Sequence, residues 1–286
     1  MGIEEIGLAV KLYTILLSIV AGVAATKKIA QLWRTRHLRK IWGIKNGDAV
    51  TVVCSELEDP DHRQHVEPRE FIYNLKYGDV DAYFEVVVTL LRLYPKVRLR
   101  VMSCGEIEQT RFDVAGHLIL IGGPDYNGMT DRVLDWGTTQ FTYRIPETAY
   151  QSPQFPEEIV LYDKVHNTEY CHQIETKDYG YFERIVNKHN PEKHIILVGG
   201  CHTIGVTAAV KAFSMAESEF GEIPSYVLRN AALVAKKIKK ARSFSVLVSA
   251  DLIGQTISCP VVKENDVTVG VDQITTGEPT VSTAQT

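Results

Sequence analysis

HLILIGGPDYNGMT, residues 117–130, and HIILVGGCHTIGVT, residues 194–207, decide how this chain is read. Seven of fourteen positions are identical at an offset of 77 residues: His117/His194, Ile119/Ile196, Leu120/Leu197, Gly122/Gly199, Gly123/Gly200, Gly128/Gly205 and Thr130/Thr207. Each copy is a short apolar run, then Gly-Gly, then a helix start. A continuous apolar run bounded by turn residues is the pattern of a strand buried on both faces. Strand, glycine turn and helix N-terminus in succession place a ligand, often a phosphate, on helix-terminal amides. The repeat predicts two equivalent loops at one end of a sheet, bordering a single cleft.

Working outward, strands are expected at Ala49–Cys54, Val97–Met102 and Phe244–Ser249, and helices from Asp79 or Asp81 to about Tyr94, over 205–217 and over 224–241. Strands alternating with helices imply a Rossmann-like, mostly parallel sheet covered on both faces. From Ile159 to Val186 the pattern changes to short β-type runs, with turn signals at His166-Asn167 and Asp178-Tyr179-Gly180. This segment, 157–190, reads as an inserted hairpin or meander. The ligand-binding domain is expected over 46–262, and the Thr-, Val- and Gly-rich stretch 263–286 as a disordered tail.

The segment before this domain has a different character. Leu12–Thr26 carries no charge, and the apolar run reaches back to Ile6 with only Lys11 interrupting. Ile6–Thr26 is thus 21 residues, matching the roughly 20 that span a hydrocarbon core. Lys27, Lys28, Arg34, Arg36, Arg39 and Lys40 follow it. Residues 1–45 are therefore expected to form one transmembrane helix with a basic juxtamembrane continuation. The positive-inside rule sets the N-terminus outside and the domain in the cytoplasm.

Composition bounds the rest. The chain has 286 residues, 45% apolar and 23% charged, and a formal charge of −4, which argues against direct nucleic-acid binding. Its five cysteines are an odd number and form no CxxC, so reduced thiols are expected and no disulfide framework. His62-x-x-His65, beside Asp59 and Asp61, has metal-ligand residue types but no second pair, and no metal site is assigned.

Both loops have the register G-x-x-x-x-G-x-T, Gly123 to Thr130 and Gly200 to Thr207. This is the spacing of a phosphate-binding P-loop, except that Met129 and Val206 stand where lysine neutralises the transferring group. A backbone cradle is compatible with this spacing; NTP hydrolysis is not. The ligand set expected from position is Gly122, Gly123, Asp125, Tyr126, Asn127 and Thr130 from the first loop. From the second it is Gly199, Gly200, Cys201, His202, Thr203 and Thr207. Ser55 and Glu56, just past the first strand, complete it. The glycines have a second use, as permissive turns only. His117 and His194 start their strands, away from this end. No catalytic residue and no cofactor is assigned.

With the Leu12–Thr26 run and the two strand–Gly-Gly turns, the layout resembles membrane-tethered Rossmann-like nucleotide sensors of prokaryotic antiviral systems, of the CARF-like or SLOG-like kind. The resemblance covers roughly residues 6–255 in architecture and is specific only at the loops. It implies a single-pass protein of the lipid bilayer that binds a nucleotide-type ligand, such as a cyclic nucleotide second messenger. It further implies signalling by homo-oligomerisation in the membrane. The alternative is an enzyme acting on a nucleoside, nucleotide or NAD-like substrate, as an N-glycosidic hydrolase using Glu56, Glu106 or Asp125, or as a hydrolase using Cys201.

Overall fold

The structure is a computed structural model and describes residues 3–56, 77–110, 114–144, 160–173, 176–217, 222–253 and 256–270. Helix α1 is Ile3–Trp42, followed by β1 (Ala49–Cys54), α2 (Tyr77–Leu93), β2 (Arg98–Ser103), α3 (Cys104–Thr110), β3 (His117–Ile121) and α4 (Gly128–Leu134). Three short strands come next, β4 (Phe141–Arg144), β5 (Val160–Asp163) and β6 (Thr168–Tyr170). Then follow β7 (Lys177–Val186), β8 (His194–Gly200), α5 (Thr203–Lys211), α6 (Ser225–Ile238), β9 (Phe244–Ile253), β10 (Thr256–Ile257) and β11 (Val267–Val269).

The main sheet has eight strands in the order β10-β9-β7-β8-β3-β1-β2, with β11 also on β9. Strands β2, β1, β3 and β8 are mutually parallel. Strand β7 runs antiparallel to both β8 and β9, and β10 and β11 are antiparallel to β9. The mostly parallel sheet expected from the sequence is therefore corrected to a mixed one. The reason lies in the connection between β7 and β8, residues 187–193. A parallel neighbour needs a crossover of a dozen residues or more, whereas so short a link returns the chain antiparallel.

One face of the sheet is covered by the last turns of α1 with α2, α5 and α6. The other carries α3, α4 and a separate antiparallel sheet, β4-β5-β6. The inserted β segment thus divides: β5 and β6 join β4 in the small sheet, and β7 joins the main one. The described chain continues past residue 262 into a 3-10 turn, Glu264–Asp266, and β11; residues 271–286 lie outside the described residues.

The expected transmembrane helix is also overturned, and with it the single-pass membrane location. Among the described residues, no helix is long and apolar enough to cross a membrane. Helix α1 has the length, 40 residues. Its uncharged run, Leu12–Thr26, is only 15 residues between Lys11 and Lys27, against the roughly 20 a bilayer core requires. Within that run Ser18 and Thr26 turn their hydroxyls back onto the carbonyls of Thr14 and Gly22.

The root of α1 belongs to the domain. Leu38, Ile41 and Trp42 are fully buried, and the Trp42 indole donates to the Phe213 carbonyl at 3.2 Å. Arg184 on β7 fixes this root. Its guanidinium donates to the carbonyls of Lys40 (2.7 Å) and Ile41 (2.9 Å) at the end of α1, and to Ala241 (3.0 Å) and Arg242 (2.9 Å) beyond α6. One side chain thereby satisfies orphan carbonyls near two helix ends. Farther out, Tyr13, Leu17, Ile19, Val20, Val23, Ile29, Leu32 and Trp33 are exposed.

Candidate functional site

Strand β1 is followed by β2 on one side and β3 on the other, so the chain reverses direction of winding between β1 and β3. In open α/β sheets, ligands bind outside the carboxyl ends of the strands at such a point. Strands β3 and β8 are neighbours in register from Leu118↔Ile195 to Ile121↔Val198, and the Gly122 amide donates to the Val198 carbonyl at 3.0 Å. The two Gly-Gly turns thus emerge side by side at the same end of one sheet.

At the first turn Gly122 has φ +98°, and a Cβ there would lie 3.0 Å from Asp79 Oδ2 and 3.2 Å from Ser55 Oγ. Only glycine adopts this backbone without cost. The Ser55 hydroxyl donates to the Asp79 carboxylate, both groups buried beneath the turn. Glu56 ties the β1 and β3 loops together: its amide donates to the Tyr126 carbonyl (2.8 Å), and its carboxylate accepts from the Gly105 amide (3.2 Å). Asn127 caps α4, accepting from the amides of Met129 and Thr130 at 3.2 Å each. Its amide nitrogen donates to Ile121 (2.9 Å) and Val53 (3.3 Å). Thr130 donates to the Gly122 carbonyl at 3.2 Å. Asn127 and Thr130 therefore build the turn, while Asp125 is exposed and Tyr126 half-buried at its surface.

At the second turn β8 runs directly into α5. A Cβ on Gly200 would lie 2.6 Å from the Gly205 carbonyl carbon and the Val206 nitrogen. The Gly205 amide donates to Asp178 Oδ2 at 2.6 Å, so a carboxylate from β7 occupies the start of α5. Thr207 donates to the Thr203 carbonyl at 3.1 Å. Asp178 is 0% exposed, and burial holds its carboxyl above the usual range. His172 Nδ1 lies 3.5 Å from Asp178 Oδ1, and the His172 ring stands edge-on to the exposed His202 at 4.5 Å. Cys201 donates to the Tyr170 carbonyl at 3.1 Å; burial, then the Asp178 charge, push its thiol up to about 12. It is protonated at neutral pH and unsuited to nucleophilic attack.

Tyr143, from β4, joins the two turns. Its hydroxyl accepts from the Gly200 amide at 3.1 Å, and its ring lies 3.6 Å from where a Gly123 Cβ would be. The groups lining this end are a phenol ring, the Asp125 carboxylate, Tyr126 and His202. Asn127 engages the Met129 and Thr130 amides at α4, and Asp178 engages the Gly205 amide at α5.

The expected residues divide accordingly. Gly122, Gly123, Asp125, Tyr126, Gly200, Cys201 and His202 gather at one edge. Asn127, Thr130, Gly199, Thr203 and Thr207 serve the internal geometry of their turns, and Ser55 and Glu56 underlie the first one. Glu106 lies on α3, its amide taken by the Ser103 hydroxyl at 3.1 Å. Asp79, Tyr143, His172 and Asp178 are the residues that sequence reasoning missed. Asp79 reads as an ordinary helix-start acid, and Tyr143 and His172 carry no positional signal. His62 and His65 lie outside the described residues; among the described ones, no group of three or more His, Cys, Asp or Glu is placed to hold a metal ion. His117 and His194 pair at the opposite end of the sheet, ring centroids 5.7 Å apart. No protein-family model matches this sequence, and no curated protein matches it.

Proposed function

We propose that the cleft at the carboxyl ends of β1, β3 and β8 binds a nucleotide-type small molecule, gripping its base and sugar rather than its phosphates. The observation that carries this reading is the adjacency of the two Gly-Gly turns in one sheet, spanned by the Tyr143 ring. Aromatic rings at Tyr126 and Tyr143 offer stacking surfaces, and Asp125 and His202 offer polar partners for ribose hydroxyls and base edges. Asn127 on the Met129 and Thr130 amides and the Asp178 carboxylate on the Gly205 amide argue against a phosphate cradle there. The bare apolar side chains of α1 support self-association as the output, since burying each is worth about 1.5–3 kcal/mol.

Thermal unfolding of the full chain against nucleosides, nucleotides and cyclic dinucleotides tests this. A ligand at ~100 times its dissociation constant adds about 2.7 kcal/mol, a rise of roughly 5–10 °C in Tm for a domain of this size. Gly123→Val should still fold, because its Cβ would sit at ordinary contact distance from Tyr143, and should abolish the rise. Gly200→Val is the contrasting case and should fail to fold, because its Cβ meets backbone. A folded Gly123→Val that responds like the parent would remove the cleft from consideration.

The Asp178–His172–His202 arrangement favours a second reading, a hydrolase in which an imidazole works as general base. Turnover of a bound ligand that is lost in His202→Gln, while Cys201→Ser retains it, would establish that reading. Binding without turnover would dismiss it.

A further inference from the structure

A second concavity lies away from the Gly-Gly turns, where the β5–β6 hairpin faces the 3-10 turn and β11. It is a groove of about 730 Å³, within the range of small-molecule sites, roughly 300–1,000 Å³. Leu247 lies at its floor, 6% exposed, on the face of the main sheet that carries β4, β5 and β6; Val267, paired with Val246, turns to the other face.

The hairpin wall is built around Asp163, a buried carboxylate at 2% exposure. It accepts from the amides of Val165 (2.9 Å) and His166 (3.0 Å), from Gln140 Nε2 (2.8 Å) and from His166 Nδ1 (2.7 Å). Four donors saturate its oxygens. Asp163 takes the Nδ1 edge of His166 and so fixes the ring; in the neutral ring with Nδ1 as donor, Nε2 is left as an acceptor. On the opposite wall stands Asp266, whose carboxylate accepts from the Lys263 amide at 3.0 Å. Lys237 closes the rim. An imidazole and a carboxylate, both acceptors, therefore line one groove above an apolar floor.

We propose that this groove is a second ligand site, taking a small, flat, amine-bearing molecule. The ring lies on Leu247, and the amino group donates to Asp266 and to His166 Nε2. Burial holds the Asp266 carboxyl above the usual range although the Lys263 amide and ammonium act the other way, so a donor arriving there relieves an existing cost.

The probe is 2-aminobenzimidazole, titrated calorimetrically into the full chain, with benzoate as a flat anionic control. Saturable binding of the amine and none of benzoate is expected. Asp266→Asn keeps an acceptor for the Lys263 amide and removes the charge; a charge-assisted hydrogen bond of this kind is worth enough to weaken the probe about tenfold or more. Thr268→Arg fills the groove, with its backbone still paired to Ser245, and should abolish binding. Gly123→Val should leave it unchanged, which separates this site from the cleft. Absence of saturable binding overturns the proposal. So does equal affinity for benzoate, or an Asp266→Asn variant that binds like the parent. Should Asp266→Asn not fold, Thr268→Arg decides alone: retained binding there also overturns it.

Discussion

Glu183 and His194 titrate in opposite senses in this fold. Glu183 is 0% exposed on β7; its Oε1 accepts from the Gln140 amide (2.6 Å) and Ser245 Oγ (2.7 Å), and Oε2 has no hydrogen-bond partner among the described residues. Burial lifts its carboxyl from 4.5 to about 7. The folded state then holds a proton that the unfolded state releases, so stability falls as pH rises from about 4.5 to 7, by on the order of 3 kcal/mol in all. His194 is pushed from 6.5 down to about 4, by burial first and then by the Arg184 charge. Here the unfolded state takes the proton first, so stability is lost as pH falls from about 6.5 to 4. Between 4.5 and 6.5 the two slopes oppose each other. Relative to the parent, Glu183→Gln should therefore gain stability progressively toward neutral pH, and His194→Gln should gain it toward acid pH. Urea titrations from pH 4 to 7.5 read both slopes, and parallel curves for parent and variants would contradict the assignment. Neither behaviour was legible in the sequence, because neither residue type nor spacing reveals what lies over a strand residue.

Among the elements, strands were the more legible. β1 spans the expected Ala49–Cys54, and β3, His117–Ile121, is the apolar run that opens the first repeat, since a continuous apolar run has few alternatives at that length. α3 was missed because it has seven residues, too few to show a period, and β4 because four residues do not alternate visibly. Asp178-Tyr179-Gly180 reads as a turn yet lies within β7. Asp178 finds the Gly205 amide there, and a side chain at Gly180 would meet the backbone of α5, so tertiary contacts override local preference. α1 misled differently: its apolar residues fit a membrane span, but its charges divide the run. Removing residues 1–34 should leave the unfolding midpoint within about 2 °C of the parent, since the buried root begins at Thr35 and a loss of less than about 1 kcal/mol corresponds to so small a shift. The same truncation should abolish self-association in sedimentation velocity. A truncated chain that still associates would place the contact elsewhere.

On the scale of the whole molecule, β7 joins two regions that otherwise lie apart. Asp178, near one end, holds the start of α5, and Arg184, near the other, holds the end of α1. Arg184→Lys loses the planar fork that serves four carbonyls and should cost about 3 kcal/mol, by analogy with other buried charge networks. Hydrogen exchange should then quicken in the last turns of α1 and α6 before it quickens in β3; uniform quickening would show that Arg184 supports the entire fold and no particular joint. The register of β7 sets what kind of motion can pass along it. Seven residue pairs to β8 and eight to β9 bar it from sliding, because a one-residue slip would turn every side chain to the opposite face. What it can transmit is a tilt, and α1 magnifies tilts. At 1.5 Å per residue its 40 residues reach about 60 Å, so a rotation of about 1° at Trp42 carries the far tip about 1 Å. The long helix is a pointer, and a movement at its pivot too small to alter a hydrogen bond becomes a displacement of about an ångström at its far tip.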